Sequence, residues 1–568
     1  MKLFRKIQKW FENQGNLYYL FLIILIVPNI VLCFTEPMPL VAKVCNVLLP
    51  FSIYHMIMSW SGNCGKTFWI LFPFLFFGAF QIVLLYLFGQ SVIAVDMFLN
   101  LVTTNPGEAL ELLDNLIPAI IIVVLLYIPA LVLAAVAVSK KRRLSEMFVR
   151  RERKRAGITV IAGILSLVAA YLFDARYELK SDLYPANVCY NIALAFQRTA
   201  QTQHYAETSK DFTFQAKTTR PEKNREVYVM VIGETSRAAN WSIYGYNRNT
   251  NPELTKIKGL TAFSHVLTES NTTHKSVPML MSSVTAHDFN SIYRQKGIIT
   301  AFKEAGYRTA FFSNQRYNHS FIDFFGKEAD ICDFIKEDTG DGGYNPSDDE
   351  LLKLVAAELA ENVSKQFIVL HTYGSHFNYR ERYPADNAFF LPDFPVDAEL
   401  KYKDNLINAY DNSIRYTDNF LARLIRMLQE QDIDAAMLYT SDHGEDIFDD
   451  DRHLFLHASP VPSYYQIHVP FLIWMSDNYR KNYPDLFKNA EINRQKNISS
   501  SASFFQTMLE LGGIDTPSRN DSLSVINASY TEKNRVYLND HNEARSLNDI
   551  GMREEDFTML QTKGIVYR

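Results

Sequence analysis

Five long apolar runs, at about 17–35, 41–60, 67–89, 117–138 and 157–173, dominate the first third of the chain. Each approaches the roughly 20 residues a helix needs to cross a bilayer. Five nearly uncharged runs in succession exclude an ordinary soluble core. From Val227 the pattern changes to short apolar runs: VYVMVIGE from 227, RTAFF at 308–312, FIVLHT at 367–372, AAMLYT at 435–440 and VPFLIWM at 469–475. Amphipathic intervals such as ITAFKEAGY, DDELLKLVAAELAEN and NSIRYTDNFLARLIRMLQEQ separate several of them. Near-continuous apolar strands alternating with helices predict a mostly parallel sheet covered by helices on both faces. The expected fold class is therefore an α-helical transmembrane domain of five spans plus an α/β soluble domain.

The expected division is 1–174 for the spans, 175–225 for a bridge and 226–568 for the soluble domain. In the bridge, NVCYNIALAFQRT at 187–199 has the pattern of an amphipathic helix. The stretch SKDFTFQAKTTRPEKNRE that follows reads as a polar linker.

Charge then sets the orientation. The N-terminus carries Lys2, Arg5, Lys6 and Lys9, and SKKRRLSEMFVRRERKRA between the fourth and fifth runs has nine basic residues against two acidic ones. The loops at 36–40 and 90–116 have none. By the positive-inside rule the N-terminus lies inside and the domain after about 174 emerges outside, which in a bacterium is the periplasm. No small-residue cleavage site follows the first run closely, so it reads as a retained span. The net charge of −5 over 568 residues and the lack of a basic stripe argue against nucleic acid as a partner. Of five cysteines only Cys189 and Cys332 lie in the polar part, so at most one intramolecular disulfide can form there. The outward loop AVDMFLNLVTTNPGEALELL spaces Asn100, Thr104 and Glu108 at intervals of four. Pro106 opposes an unbroken helix through all three. The plainer reading is a helix start with Thr104 or Asn105 capping and Glu108 in the first turn.

Candidate chemistry collects at the ends of the strand-like runs. Glu234 ends one, His371 and His376 follow another, and Asp442 and His443 follow a third. In a doubly wound sheet those ends share an edge, where ligands bind. Carboxylates and imidazoles together suit zinc. The stretch YTSDHGEDIFDDDRHLFLH at 439–457 adds His453 and His457. The hydroxyl-rich TESNTTHKSVP at 268–278 offers a nucleophile, since a metal can lower the pKa of a bound oxygen acid. Composition does not choose between Thr272 and Thr273.

The wording GETSRAANWSIYGYNRNTNPEL at 233–254, TESNTTHKSVP, HTYGSHFNYRERYP at 371–384, YDNSIRYTDNFL at 410–421 and SDHGED…LHASP resembles the bacterial phosphoethanolamine transferases. The resemblance runs from the spans to about residue 475. It implies a multi-pass inner-membrane enzyme with an alkaline-phosphatase or sulfatase-like domain in the periplasm. It implies Zn2+ on Glu234, Thr273, Asp442 and His443, with Thr273 chosen because it stands three residues before the Ser276 of Ser-Val-Pro. His376 and His457 match histidines that stabilise phosphate, handle protons or hold a second zinc, whereas His453 has no counterpart. Asn100, Thr104 and Glu108 match positions near the donor's ethanolamine group. Asn314 and Gln315 in FFSNQ resemble a substrate segment, with His319 the nearest candidate for its lysine. Many members carry disulfides near the nucleophile; Ser270 and Met279 stand there in this chain, so packing must hold these loops.

The implied reaction is a two-step transfer of phosphoethanolamine from phosphatidylethanolamine, through a phosphoethanolamine-threonine intermediate, to lipid A, lipopolysaccharide core or another envelope acceptor. The protein is expected to act as a monomer. A phosphoglycerol transferase is the nearest rival. A sulfatase needs Cys or Ser in a C/S-x-P-x-R setting, which 268–278 lacks, and an inactive binding protein should have lost metal ligands. The acidic IFDDD insert is expected to face solvent.

Overall fold

The computed structural model describes residues 9–36, 38–88, 92–98, 106–174, 177–221, 225–336 and 345–567, with backbone alone at 87–88 and 106–115. Its internal contacts separate two compact units, with the change falling between Gln197 and Arg198.

In the first unit the apolar runs form helices α1 (Gln14–Thr35), α2 (Leu40–Ser59), α3 (Cys64–Ile70), α4 (Phe72–Phe88), α5 (Pro106–Ser139) and α6 (Glu146–Phe173). Among the described residues four helices are long and apolar enough to cross a membrane, and five if the bent pair α3–α4 counts as one span. That pair turns by 61°. Pro73 sits at the break, where its ring and missing N–H oppose helix continuation. The basic stretch before the fifth run is only partly loop: Ser145 Oγ accepts from Phe148 N at 3.2 Å and caps α6, so the arginines from 150 onward are already helical. The amphipathic stretch of the bridge is helix α7 (Ala186–Gln203). All five cysteines are free thiols.

The second unit is built on a seven-stranded sheet. Its strands are β1 (Glu226–Gly233), β2 (Leu260–Phe263), β3 (Arg308–Ser313), β4 (Ile331–Phe334), β5 (Lys365–His371), β6 (Asp434–Ser441) and β7 (Phe471–Met475). The spatial order is β2-β7-β6-β1-β5-β3-β4. Only β7 runs against the rest, pairing antiparallel with both β6 and β2. β1, β5 and β6 are buried at every position, which is why they read as unbroken apolar runs. Tyr228, Met230 and Ile232 on one face of β1 join a core with Phe302 of α9 (Ile298–Glu304) and Phe504 and Met508 of α12 (Ser500–Leu511). Val227, Val229 and Val231 on the other face are equally closed. Helices α10 (Asp349–Ala360) and α11 (Lys403–Gln429) pack against β3 and β6 without joining the first core, so both faces are covered. Helix α8 is Thr273–Leu280.

The stretch read as a polar linker is partly ordered against this unit. Phe214 and Ala216 are buried, Lys217–Thr218 pairs with Ile514–Asp515, and Arg220 stacks on Tyr483 at 3.6 Å.

Candidate active site

Strand register places the chemistry. Ser313 of β3 stands opposite His371 of β5, Ile232 of β1 opposite the same His371, and Gly233 opposite Ser441 of β6. The residues just beyond these ends, Asn314, Thr372, Glu234 and Asp442, therefore emerge along one edge of the sheet. His443 follows Asp442 directly, and ligand atoms of Glu234, Asp442 and His443 all lie within 4.8 Å of one another.

A fourth group comes from outside the sheet. Thr273 Oγ1 at the first turn of α8 lies 3.1 Å from His443 Nε2 and 3.3 Å from Glu234 Oε1. Thr272 turns elsewhere, with its hydroxyl 3.1 Å from Ser270 Oγ. Side-chain direction separates the two threonines that composition left equivalent. The position of Thr273 at a helix N-terminus also sets the positive end of the helix dipole behind any anion attacked there.

Each member of the cluster is fixed by a second contact. Asp442 Oδ1 accepts from Thr235 N at 3.0 Å and His443 N at 2.7 Å. His443 Nδ1 donates to Gly444 O at 2.9 Å, which leaves Nε2 as the free ligand atom. Burial pushes this imidazole down to about 4, so it stands neutral, as a ligand must. Glu234 Oε1 accepts from Thr235 Oγ1 at 2.7 Å, and burial together with Asp442 holds the Glu234 carboxyl well above its ordinary range. Gly374, at φ +53, lies so close that a Cβ there would come within 2.6 Å of Glu234 O.

These residues fit a cation. Asp442 and Glu445 are wholly buried, yet Asp442 Oδ2 and Glu445 Oε2 take no hydrogen bond. Buried carboxylate oxygens are costly unless paired or coordinated. Two carboxylates, an imidazole and a hydroxyl give an O and N donor set.

His376 and His457 join the same region. Their ring centroids are 6.0 Å apart, and the His457 ring lies 4.1 Å from that of His443, tilted by 37°. His457 Nδ1 lies 3.0 Å from Glu445 Oε1, and His376 Nδ1 donates to Phe377 O at 2.6 Å. Each ring therefore turns Nε2 away from its anchor. Burial lowers both imidazoles, His457 to about 4 and His376 well below its usual value. His371 is buried behind them; its Nδ1 is 3.4 Å from Ser313 Oγ and its Nε2 has no hydrogen bond.

The remaining candidates are spread more widely. Gln315 Nε2 reaches Glu234 Oε2 at 3.4 Å and Thr372 O at 3.1 Å. Asn314 is fully buried, and its amide nitrogen donates to Asp348 Oδ1 at 2.8 Å and Pro346 O at 3.0 Å. His319 is exposed, edge-on to Tyr317 at 4.6 Å. His453 is an exposed loop residue. Asn100 and Thr104 lie outside the described residues; Glu108 falls in the first turn of α5, its side chain also outside them. The IFDDD insert does not face solvent as expected. Ile447 and Phe448 are buried, and Asp449 meets the buried Arg237 at 2.6 Å. Only Asp451 is fully exposed there.

Two residues went unread in the sequence. Glu445 holds His457. Asp348 accepts from Tyr373 N at 2.8 Å and Gly374 N at 3.0 Å as well as from Asn314, and so fixes the loop that carries His376. Neither stands at a strand end; Glu445 does lie within the SDHGED wording, the signal that could have found it.

The sulfatase family model matches residues 226–514, more than half of the chain. The chain belongs to the sulfatase family. Within this sulfatase-family chain a second model, described as phosphoethanolamine transferase EptA/EptB, matches residues 63–200. The Kdo(2)-lipid A phosphoethanolamine 7''-transferase of Escherichia coli (strain K12) is 30% identical over 296 residues, 51% of this chain and 51% of that protein. The chain thus spans about half the length of that relative. Phosphoethanolamine transferase EptA of the same strain is 26% identical over 495 residues, covering 83% of this chain and 87% of its own. The integral membrane lipooligosaccharide phosphoethanolamine transferase A of Neisseria meningitidis shares the fold, with a TM-score of 0.70 over 90% of this chain and 97% of that one at 20% identity. The periplasmic domain of Escherichia coli EptC, solved in complex with Zn, superposes with a TM-score of 0.54 over 59% of this chain and 95% of that one at 23% identity. The motif resemblance to phosphoethanolamine transferases and the expected fold class are both borne out.

Proposed function

We propose that the protein transfers phosphoethanolamine from phosphatidylethanolamine to an envelope acceptor, lipid A or lipopolysaccharide core before others, with Thr273 as nucleophile. The observation that carries this is the single threonine hydroxyl within 3.5 Å of both His443 and Glu234 at a helix N-terminus. The relatives named as phosphoethanolamine transferases support the group transferred.

Zn2+ held by Glu234, Asp442 and His443 with Thr273 would lower the hydroxyl's pKa and polarise the phosphoryl oxygen. Thr273 Oγ1 attacks phosphorus, the bond to the diacylglycerol oxygen breaks, and a phosphoethanolamine-threonine ester forms. The hydroxyl proton of Thr273 passes to His457 Nε2, the nitrogen left open by the contact of Nδ1 with Glu445, and from there to the leaving alcohol. In the second step the same atom takes the proton of the acceptor hydroxyl, whose oxygen displaces Thr273 Oγ1, and returns that proton to the threonine. The N–H groups at the start of α8 stabilise charge on the equatorial oxygens, and His376 Nε2, left as an acceptor because Nδ1 donates to Phe377 O, takes a hydrogen bond from the incoming hydroxyl. By the family resemblance, Glu108 with Asn100 and Thr104 would serve the donor's ammonium group. Gln315 steadies Glu234.

Thr273→Ala should leave abundance in the membrane normal and abolish transfer from labelled phosphatidylethanolamine; full activity in that variant would remove Thr273 from the reaction. Glu108→Ala should raise the apparent donor KM more than it lowers stability. An unchanged KM would return Glu108 to a capping role. Headgroup analysis of the product separates phosphoethanolamine from phosphoglycerol.

A further inference from the structure

Beside the segment that leads into α8, the second unit holds a cavity of about 650 Å³. Small-molecule sites typically enclose about 300–1,000 Å³. The wall is drawn from Glu269 before α8, Thr285 after it, the first turn of α12, the stretch 530–536 and Ser546. None of Glu234, Thr273, Asp442 and His443 lines it, so the cavity is separate from the candidate active site.

Glu269 stands out in that wall. It is only 3% exposed, and its Oε2 takes no hydrogen bond. Burial pushes the carboxyl up to about 7, against the pull of the Ala286 N–H, the Ser501 hydroxyl and the Arg535 charge. The guanidinium does not answer it, because Arg535 is spent on main-chain carbonyls. Its Nε donates to Val566 O at 3.2 Å, Nη2 to His265 O at 2.7 Å and Nη1 to Ile498 O. A buried carboxyl oxygen without a donor costs free energy that a ligand in the cavity can recover.

The other polar groups narrow what that ligand offers. The hydroxyls of Thr285, Tyr530 and Ser546 already donate, to Asp288 Oδ1 at 3.0 Å, Asn497 O at 2.8 Å and Asp549 Oδ2 at 2.7 Å. What each has left is lone pairs, so the wall accepts and the ligand must donate. Donors needed at several separate points describe a polyol better than an ammonium, whose N–H groups share a single nitrogen. The charges of the lining agree. Glu269 and Glu532 are offset by Lys533 and Arg535, with the exposed His287 beside them, so the formal charges cancel and neither sign of ion is favoured. Ala502, Leu523 and Val536 complete the wall with apolar surface. A sugar ring meets both demands, with C–H faces for the apolar side chains and hydroxyls for the acceptors.

We propose that this cavity binds a small neutral saccharide through Glu269 and the hydroxyls of Thr285, Tyr530 and Ser546. A free saccharide and the sugar of a glycolipid share this chemistry. The site does not depend on the transferase reading. Glu269 nevertheless ties it to the nucleophile segment, since its carbonyl accepts from Leu538 N at 2.7 Å only four residues before Thr273.

Saturation-transfer NMR on the full chain, in a detergent without a sugar headgroup, reads binding of glucose, galactose, N-acetylglucosamine and trehalose. At least one of them should receive saturation from the parent protein. Its signal should fall several-fold in Glu269→Gln and vanish in Ser546→Tyr. The second variant fills the half-buried rim and keeps the test open if Glu269→Gln does not fold. The signal should persist in Thr273→Ala. No signal from any of these sugars overturns the proposal, as does a signal that both cavity variants leave unchanged. Loss in Thr273→Ala would place the sugar at the active site and overturn it too. Ethanolamine is the ammonium control: a signal from it alone, lost in Glu269→Gln, overturns the saccharide in favour of a cation. Displacement of the bound sugar by acceptor glycolipid in the same micelles would assign the site to a glycolipid, and retention to a free saccharide; either keeps the saccharide site. Absence of phosphoethanolamine transfer in the parent protein would overturn the transferase reading and leave the NMR result standing.

Discussion

Thr272 and Thr273 are adjacent, equally hydroxylated and separated by one backbone step. The first follows the extended stretch before α8, and the second begins its helical turn, which is what aims Oγ1 at His443 Nε2. Glu234, Asp442 and His443 were legible because parallel strands end in register and apolar runs mark those ends. Glu445 was hidden among acidic neighbours, and only its contact with His457 and its unpaired oxygen single it out. Glu445→Gln should lower kcat roughly tenfold or more, the usual cost of losing a partner that orients an imidazole. KM should hold, and a change in KM alone would place Glu445 in donor binding instead. Asp348→Ala would leave one Asn314 Nδ2 hydrogen and two backbone N–H groups unpaired, while Asn314 keeps Pro346 O. At about 1–3 kcal/mol for each buried donor left unpaired, a loss of several kcal/mol is expected, read as a lower thermal midpoint. Asp348→Asn should recover part of it.

At the scale of elements, the sheet and its main helices followed from period and run length, but three features did not. The reversed strand β7 has the same apolar run as its parallel neighbours, so direction is not encoded in its composition. IFDDD reads as solvated, yet Arg237 of the GETSR motif draws Asp449 inward. The last 90 or so residues lie beyond the motif resemblance and show no long periodic pattern. In fact they brace the nucleophile segment: Tyr537 OH donates to Asn271 Oδ1 at 2.6 Å, Leu538 N to Glu269 O at 2.7 Å and Lys275 Nζ to Asn539 O at 3.1 Å. All five cysteines are free, so packing of this kind holds the segment. Tyr537→Phe should cost about 1 kcal/mol and lower kcat through a looser α8; an unchanged kcat would make the brace dispensable. Helix α11 also carries a titration. Burial pushes the Asp418 carboxyl up to about 7, although it accepts from Glu253 N and Leu254 N. Its unfolded value is near 4, so the folded state binds the proton more tightly. Its contribution is complete below the unfolded value and is lost as pH rises towards 7. The thermal midpoint should therefore fall over that window, and Asp418→Asn should flatten the fall. An equal slope in both proteins would assign it elsewhere.

For the molecule as a whole, hydropathy gave the membrane-spanning helices and the apolar-strand rhythm gave the sulfatase-like unit. The acceptor is not written in either, since it depends on surfaces that no motif marks. The buried oxygens of Asp442 and Glu445 that take no hydrogen bond suit a site that holds a cation. Chelation should lower the thermal midpoint of the whole protein, with Zn2+ restoring it and Mg2+ failing to. Equal recovery with Mg2+ would contradict a zinc-type site. The most direct measurement is peptide mapping by mass spectrometry after incubation with phosphatidylethanolamine and no acceptor. One phosphoethanolamine is expected on Thr273, removed when acceptor glycolipid is added. An adduct on Thr272 or on a histidine, or transfer with no adduct at all, would contradict the threonine-centred mechanism.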